Sequence, residues 1–222
     1  MRQPKLCHFL FLFLAILCAA RSGQGQVPEA DTQSWNDIQL TIPMSKTVDF
    51  LLLGHLRIGD NLTQPIDGRW GFGFNYKAGK YLTFSQSLLM REARPPNGRR
   101  EHEQRLILAG TVKFPLGKFS LSDRNQFEHR WRQPQTDFWR YRNRVQLEHP
   151  FTIEKKKFTF FISDEVFYDF LVDDWVRNRA AIGASHAFNK HFTGELYYMR
   201  QNDGRSRPGD LHIIGTAMRF KL

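Results

Sequence analysis

The sequence predicts an all-β protein, an antiparallel up-and-down transmembrane β-barrel that follows an N-terminal signal peptide. Three observations predict this fold class. The chain opens with basic residues and a short apolar run, and apolar and polar side chains then alternate with a period of two in one segment after another. Short turns also alternate with longer polar loops, which is typical of a barrel with two different rims.

The first segment has the features of a secretory signal peptide. Arg2 and Lys5 precede an apolar run over residues 6–20, which ends in small residues and is followed by a polar stretch. A transmembrane helix needs about 20 apolar residues, so this run is too short to serve as an anchor. We predict that residues 1–25 are the signal peptide and that residues 26–222 form a single barrel domain.

Both cysteines of the chain, Cys7 and Cys18, lie within the predicted signal peptide. The mature domain is therefore predicted to lack a disulfide, a thiol nucleophile and a thiolate metal site. A lipid anchor on Cys18 stays open as an alternative, although Leu17 stands where a lipobox normally carries a small residue.

Alternation with a period of two is clearest in residues 138–149. One face of this run is mainly charged and the other is mainly apolar, as expected for a β-strand that separates two environments. The same pattern recurs over residues 47–58, 67–76, 105–114 and 157–168. These runs are about as long as the 9–11 residues that a tilted transmembrane strand needs. A soluble β-sandwich also alternates, but the export signal, the strand length and the two kinds of connection favour a membrane barrel.

The connections determine the predicted strand number. Short turns lie at residues 43–46, 77–80, 115–118, 154–157 and 189–191, and longer polar links lie at residues 59–65, 93–100, 131–137, 170–174 and 202–210. Five short turns give ten strands, and the C-terminal run over residues 211–222 makes an eleventh. Because single-chain bacterial barrels have even strand numbers, we predict ten or twelve strands.

If the apolar faces contact lipid, the charged faces line the interior. The predicted interior charge lattice consists of Arg69, Arg105, Arg124, Glu128, Arg140, Arg142, Arg144, Glu148, Glu165, Arg177 and Arg179. Charges of both signs can pair across neighbouring strands, which favours a structural lattice. Arginines outnumber carboxylates, however, so an electropositive pathway for anions stays open as a second interpretation.

Three segments repeat an arginine–asparagine pair. Strict alternation directs Asn125, Asn143 and Asn178 toward lipid, where an amide without a partner is costly. We therefore expect these segments to lie near a rim or at β-bulges.

The sequence predicts no catalytic, cofactor-binding or metal-binding residues. No histidine of the predicted mature chain is followed two residues later by a serine, the spacing that would place such a pair on one face of a strand. Because a triad can also assemble from distant strands, a lipid-acting hydrolase or acyltransferase of the outer membrane stays open as an alternative function. The net charge of +10 is spread over every predicted strand, so we expect contacts with membrane lipids and lipopolysaccharide rather than with nucleic acid.

Several segments resemble the domain of unknown function 2490 family of exported bacterial proteins. These are Trp35 and residues 74–77, 114–117, 123–128 and 139–144. The resemblance implies a barrel in the outer membrane and carries no active site with it. Met218, Phe220 and Leu222 alternate up to the C-terminus, which resembles the signal read by the barrel-assembly machinery. We expect a narrow anion-preferring channel or a structural envelope protein.

Overall fold

In a computed structural model of the chain, residues 30–94, 100–133 and 135–222 are described. The predicted signal peptide, residues 1–25, lies outside these ranges. The described residues form eleven β-strands: β1 (Ala30–Pro43), β2 (Val48–Gly59), β3 (Gln64–Ala78), β4 (Leu82–Ala93), β5 (Glu101–Leu116), β6 (Phe119–Gln133), β7 (Phe138–Ile153), β8 (Lys156–Asp169), β9 (Asp174–Ala187), β10 (Phe192–Asp203) and β11 (Asp210–Lys221). No helix in the described ranges is long and apolar enough to cross a membrane.

The strands close into one barrel, which confirms the predicted all-β barrel class. Successive strands pair antiparallel, and β1 closes the barrel by pairing in parallel with β11. The predicted number of ten or twelve strands is wrong, since the described part of the chain has eleven. An odd number requires the first and last strands to run in the same direction, and the even-number rule assumes antiparallel closure. A hydrogen bond of 2.8 Å from Thr216 Oγ1 to Asn36 Oδ1 crosses this parallel seam.

The barrel has two different rims. We call the end that carries residues 44–47, 79–81, 117–118, 154–155 and 188–191 the turn rim, and the opposite end the loop rim. Two of the tight turns at the turn rim use glycine at positive φ, Gly79 at 88° and Gly117 at 63°, where a side chain would be strained. β1 begins at the loop rim and β11 ends at the turn rim, as the parallel seam requires.

The strands tilt around the barrel. The pairing register that starts at Asn125 in the middle of β6 reaches the loop-rim end of β11 through Asn143, Val166, Asn178, Asn202 and Asp210. In the other direction it reaches the turn-rim end of β2 through Gly110, Phe84, Tyr76 and Val48. A line of paired residues therefore climbs toward the loop rim by a little more than one residue per strand from β2 to β11, as strand tilt in a closed barrel demands.

The two faces of each strand meet opposite environments. Arg140 of β7 points inward and is 7% exposed, whereas its neighbour Trp139 points outward and is 41% exposed. Buried charged side chains recur on the inner faces of the other strands, and large apolar side chains are exposed on the outer faces. The interior also has a small apolar cluster in which Trp35 of β1 packs with Leu211 and Ile213 of β11. The predicted orientation of the charged and apolar faces agrees with this arrangement.

Candidate functional site in the barrel interior

Two ion-pair networks lie in the barrel interior near the loop rim. The first is centred on Asp67 of β3 and Glu103 of β5, and we call it the Asp67–Glu103 network. Arg69 Nε donates to Asp67 Oδ1 at 2.6 Å, and Arg91 Nε donates to Asp67 Oδ2 at 2.5 Å. Arg91 also reaches Glu103 at 3.2 Å, so one guanidinium connects the two carboxylates. Arg105 Nε donates to Glu103 at 2.6 Å, and Arg130 of β6 forms a two-pronged pair with the same carboxylate.

The second network is centred on Glu128 of β6 and Glu165 of β8, and we call it the Glu128–Glu165 network. Arg142 of β7 bridges these carboxylates, with Nη1 at 2.5 Å from Glu128 Oε1 and Nη2 at 2.8 Å from Glu165 Oε1. Arg124 donates to Glu165 at 2.6 Å, and Arg179 Nη1 lies 3.7 Å from the other oxygen of Glu165. Glu165 therefore meets three arginines from three strands, and each position depends on the register of its strand.

Aromatic rings compensate the surplus of arginine. The ring of Phe167 is buried among guanidinium groups, with the Cζ atoms of Arg142 and Arg179 both 4.6 Å from its centroid. The ring of Trp35 contacts Arg179 as well, at 4.7 Å, and one further arginine, Arg57, at 3.6 Å. A cation over a ring face is attracted by the ring quadrupole, and the attraction strengthens when water is excluded. The surplus positive charge therefore has partners in the interior besides carboxylates.

Two further pairs continue the lattice at the loop rim. Arg140 pairs with Asp169 through Nε and Nη2, and Arg177 pairs with Asp203. Glu128 is 1% exposed, which indicates that side chains rather than water surround the networks. A buried charge stripped of its partner costs about 3–5 kcal/mol, so these residues hold one another in place. The arrangement can seal the interior and fix strand register.

The half of the interior next to the turn rim is different. Its inner faces carry small, partly exposed polar side chains, namely Ser85, Ser87, Thr111, Ser122 and Ser163. Lys113 Nζ pairs with Glu148 at 2.6 Å, but the lysine side chain is 51% exposed. Lys77 with Asp49 and Arg219 with Glu195 form similar open pairs at 2.7 and 2.8 Å. The interior is thus filled with ion pairs toward the loop rim. Toward the turn rim, these partly exposed polar side chains, which we call the vestibule, lie beside the buried Asp49, Leu51 and Phe161.

The structure distributes the predicted interior residues over these regions. Nine of them join the packed networks or the two loop-rim pairs: Arg69, Arg105, Arg124, Glu128, Arg140, Arg142, Glu165, Arg177 and Arg179. Glu148 lies apart in the vestibule with Lys113. Arg144 lies beside the Glu128–Glu165 network, and its buried Nε has no hydrogen-bond partner among the described residues.

Sequence reasoning did not select several interior residues that the structure places at the centre. Asp67 stands two residues before Arg69 on the same strand face, so alternation alone was enough to find it. Trp35 and Phe167 were not selected because they are aromatic, and the sequence analysis assigns aromatic side chains to the lipid-facing side of each strand. The register shift next to Phe167 also breaks the alternation there.

Two of the outward-facing asparagines contradict the prediction made for the arginine–asparagine segments. Asn125 and Asn143 pair with each other in the middle of the β6–β7 wall and point outward, and no register shift occurs in that pair of strands. The expectation that the segments lie near a rim or at bulges is therefore wrong for these two, whereas the third segment, residues 177–179, adjoins the register shift between β8 and β9. Hydrogen bonds with neighbouring side chains satisfy part of the polar groups of Asn125 and Asn143 instead.

The histidines form no serine-based catalytic arrangement within the described ranges. His55 Nδ1 lies 2.7 Å from Asp37 Oδ1 in the interior, and His212 Nδ1 lies 2.7 Å from the Tyr198 hydroxyl on the outer face. Over the same ranges, no group of three or more histidines, cysteines and carboxylates is arranged to hold a metal ion.

Together these features define a closed β-barrel with an ionic interior and an apolar exterior. The chain belongs to the DUF2490 family, described as "Protein of unknown function (DUF2490)", whose model matches residues 32–211. This confirms the resemblance identified in the sequence.

Solved structures share the barrel fold, whereas no curated protein sequence matches the chain. LpxR from Salmonella typhimurium aligns over 78% of this chain and 83% of its own, at 10% identity and a TM-score of 0.50. An anion-selective porin from Comamonas acidovorans aligns over 79% of this chain and 54% of its own, at 13% identity and a TM-score of 0.39. The first likeness concerns the fold alone, and the second is too weak to bear on function.

Proposed function

We propose that the protein is a structural barrel of the bacterial outer membrane, exported by its signal peptide and closed by its interior charge lattice. The observation that carries this proposal is that the burial of charged and apolar side chains is the reverse of that in a water-soluble protein. Charged side chains are buried inside, whereas Trp70 and Leu196 on the outer face are 64% and 61% exposed. Apolar exposure on this scale is a liability in water but suits hydrocarbon, and a closed barrel satisfies every backbone pair without a free edge.

The packed networks favour a closed barrel over an anion channel. An anion that crossed the interior would have to displace arginines that already bind Glu103, Glu128 and Glu165. Arg57, which has no salt-bridge partner among the described residues, lies over the ring of Trp35 at 3.6 Å. Most of the positive charge of the interior is therefore already bound by carboxylates or rings and does not line a free pathway for anions.

The two rims support an orientation. Membrane barrels have short periplasmic turns and longer extracellular loops, so the turn rim is assigned to the periplasm. The vestibule then lies toward the periplasm, and the packed networks lie toward the cell surface. At the loop rim, the partly exposed Arg205 is available to the anionic groups of lipopolysaccharide.

Two measurements test this proposal. The mature protein is expected to fractionate with the outer membrane, to need detergent, and to migrate faster on gels before heating than after. Reconstituted in planar bilayers, it is expected to show no single-channel current. A reproducible anion-selective current would contradict the closed interior, and a detergent-free soluble monomer would contradict the membrane location.

A second candidate, a lipid-acting hydrolase or acyltransferase, is favoured by the outward pair of Tyr198 and His212. The histidine Nδ1 lies 2.7 Å from the phenol oxygen, the distance at which a base takes a proton from a hydroxyl. Arg200, beside this pair, binds Asp210 at 3.2 Å and faces the same side. Release of fatty acid from lipid by the wild type, or transfer of an acyl chain from phospholipid to lipopolysaccharide, lost in Tyr198→Phe and in His212→Ala, would establish this function. Neither release nor transfer by the wild type excludes it.

A further inference from the structure

A cluster of polar side chains interrupts the apolar outer wall. It consists of Asp123 and Asn125 of β6, Asn143 of β7, Asp164 of β8 and Asn178 of β9, and we call it the wall cluster. Asn143 Nδ2 donates to Asp123 Oδ1 at 2.6 Å and to Asn125 Oδ1 at 3.2 Å. Asn178 Nδ2 donates to Asp164 Oδ1 at 2.9 Å. Neither aspartate has a salt-bridge partner among the residues that the structure describes.

The wall cluster lies between apolar bands rather than at a rim. Toward the loop rim the same wall exposes Phe127, Trp139 and Trp175. Toward the turn rim it exposes Phe160 and Ile162. If the barrel spans the membrane, as proposed above, two carboxylates and three amides face hydrocarbon. Such groups are costly there unless protein covers them, so the cluster marks a contact surface.

We propose that a second copy of this chain covers the wall cluster, so that the protein forms a two-fold symmetric dimer through the β6–β9 wall. Two parallel copies in one membrane are related by an axis along the membrane normal, and residues at equal height on either side of that axis face each other. With the axis beside β7, β6 of one copy meets β8 of the other.

The heights of Asn125 and Asp164 fit this symmetry. The register from Asn125 passes through Asn143 to Val166 on β8, climbing by a little more than one residue at each step. Asp164 lies two residues below Val166 toward the turn rim, which returns it to the height of Asn125. The two-fold axis therefore places Asn125 of each copy opposite Asp164 of the other.

The chemistry of this pair is complementary. Asn125 Nδ2 uses one hydrogen for Asp123 at 3.3 Å, which leaves the second hydrogen for another acceptor. Asp164 accepts only from Asn178, at 2.9 and 3.1 Å, and retains lone pairs on both oxygens. Two such bonds form per dimer. A lipid chain offers neither an acceptor for Asn125 nor a donor for Asp164. An unrelated protein would have to supply an acceptor and a donor at two separate positions.

Cross-linking of the full mature chain in native membranes and in liposomes tests this inference. The mature chain is predicted to lack cysteine, so Val145→Cys, outward on β7 near the axis, is the probe, and Leu52→Cys on the opposite wall is its control. We expect oxidation to yield disulfide-linked dimers from the first variant only. Equal cross-linking of both variants, or none with Val145→Cys, would overturn the dimer.

A paired substitution tests the proposed bonds. Asn125→Val combined with Asp164→Leu is expected to weaken dimerisation by about tenfold. The effect is modest because each polar contact between membrane-spanning segments adds only a small amount to the free energy of association. The matched control, Asn36→Val with Thr216→Val, removes an outward polar pair at the seam and leaves dimerisation unchanged. Unaltered dimerisation in the first pair, or capture of a different protein at this wall, would contradict the proposal.

Heat-modifiable migration on gels distinguishes a failure of the dimer proposal from a failure of the membrane-barrel proposal. Monomers that keep the fast-migrating folded band and need detergent would disprove the dimer alone. Loss of that band in the wild type would disprove the membrane barrel itself.

Discussion

Individual side chains in this barrel are fixed by partners on other strands rather than by their neighbours in sequence. Glu165 is the clearest case, because its carboxylate meets Arg124, Arg142 and Arg179 from three different strands. The sequence predicts that these residues face inward, since alternation decides the face. It cannot predict which charges pair, because pairing depends on strand register and tilt.

Removal of the Glu165 carboxylate tests the importance of the lattice. We expect Glu165→Gln to lower the free energy of unfolding by about 3–5 kcal/mol, because buried arginines are left without their counter-charge. The measurement is a urea titration of the folded band in liposomes. Glu148→Gln is the matched control in the vestibule, where the carboxylate pairs with the half-exposed Lys113 and accepts a hydrogen bond from Gln146, and we expect a change within about 1 kcal/mol. Equal losses in the two variants would argue against a packed lattice.

The contribution of Phe167 is testable in the same assay. Phe167→Leu keeps an apolar side chain of similar size but removes the ring face shared by Arg142 and Arg179. We expect a loss of about 2 kcal/mol beyond that of Phe161→Leu, a buried interior phenylalanine over whose ring no guanidinium group of the described residues lies. If both substitutions cost the same, packing alone explains the role of Phe167.

The strands illustrate how far pattern reasoning extends. The predicted run over residues 138–149 lies inside β7 (Phe138–Ile153), and its charged face is inward as expected. The parallel seam between β1 and β11 has no counterpart in local sequence, because it follows from the total number of strands. The strand number was therefore wrong although the individual strands were identified correctly.

Packing between β10 and β11 depends on one glycine. A Cβ added at Gly215 would fall 1.9 Å from Cζ of the Tyr197 ring, which lies flat against the strand inside the barrel. We expect Gly215→Ala to displace this ring and to reduce the yield of heat-modifiable barrel after refolding severalfold. Gly194→Ala is the control, since its Cβ would meet only Phe188 at 3.0 Å and Phe192 at 3.8 Å. Equal yields would contradict close packing between β10 and β11.

The whole molecule combines a packed ionic half, a polar vestibule and an apolar outer wall. The all-β barrel class followed from the sequence because alternation with a period of two and the two kinds of connection are properties of an up-and-down barrel as a whole. Alternation predicts that the three asparagines of the wall cluster face outward. It does not predict the cluster itself, since polar side chains on an apolar outer wall oppose the usual pattern of a membrane barrel. Its position became apparent only when the register set the strands side by side.

Spin-label accessibility along β3, which lies away from the proposed dimer wall, tests the central claim most directly in reconstituted bilayers. Labels are introduced one at a time at residues 67–76, and their collisions with oxygen and with a water-soluble nickel complex are measured. The account predicts high oxygen and low nickel accessibility at Trp70, Phe72 and Phe74, with low accessibility to both at Asp67 and Arg69. Labels on the arginine face that collide freely with nickel, while the aromatic face is protected from oxygen, would contradict it.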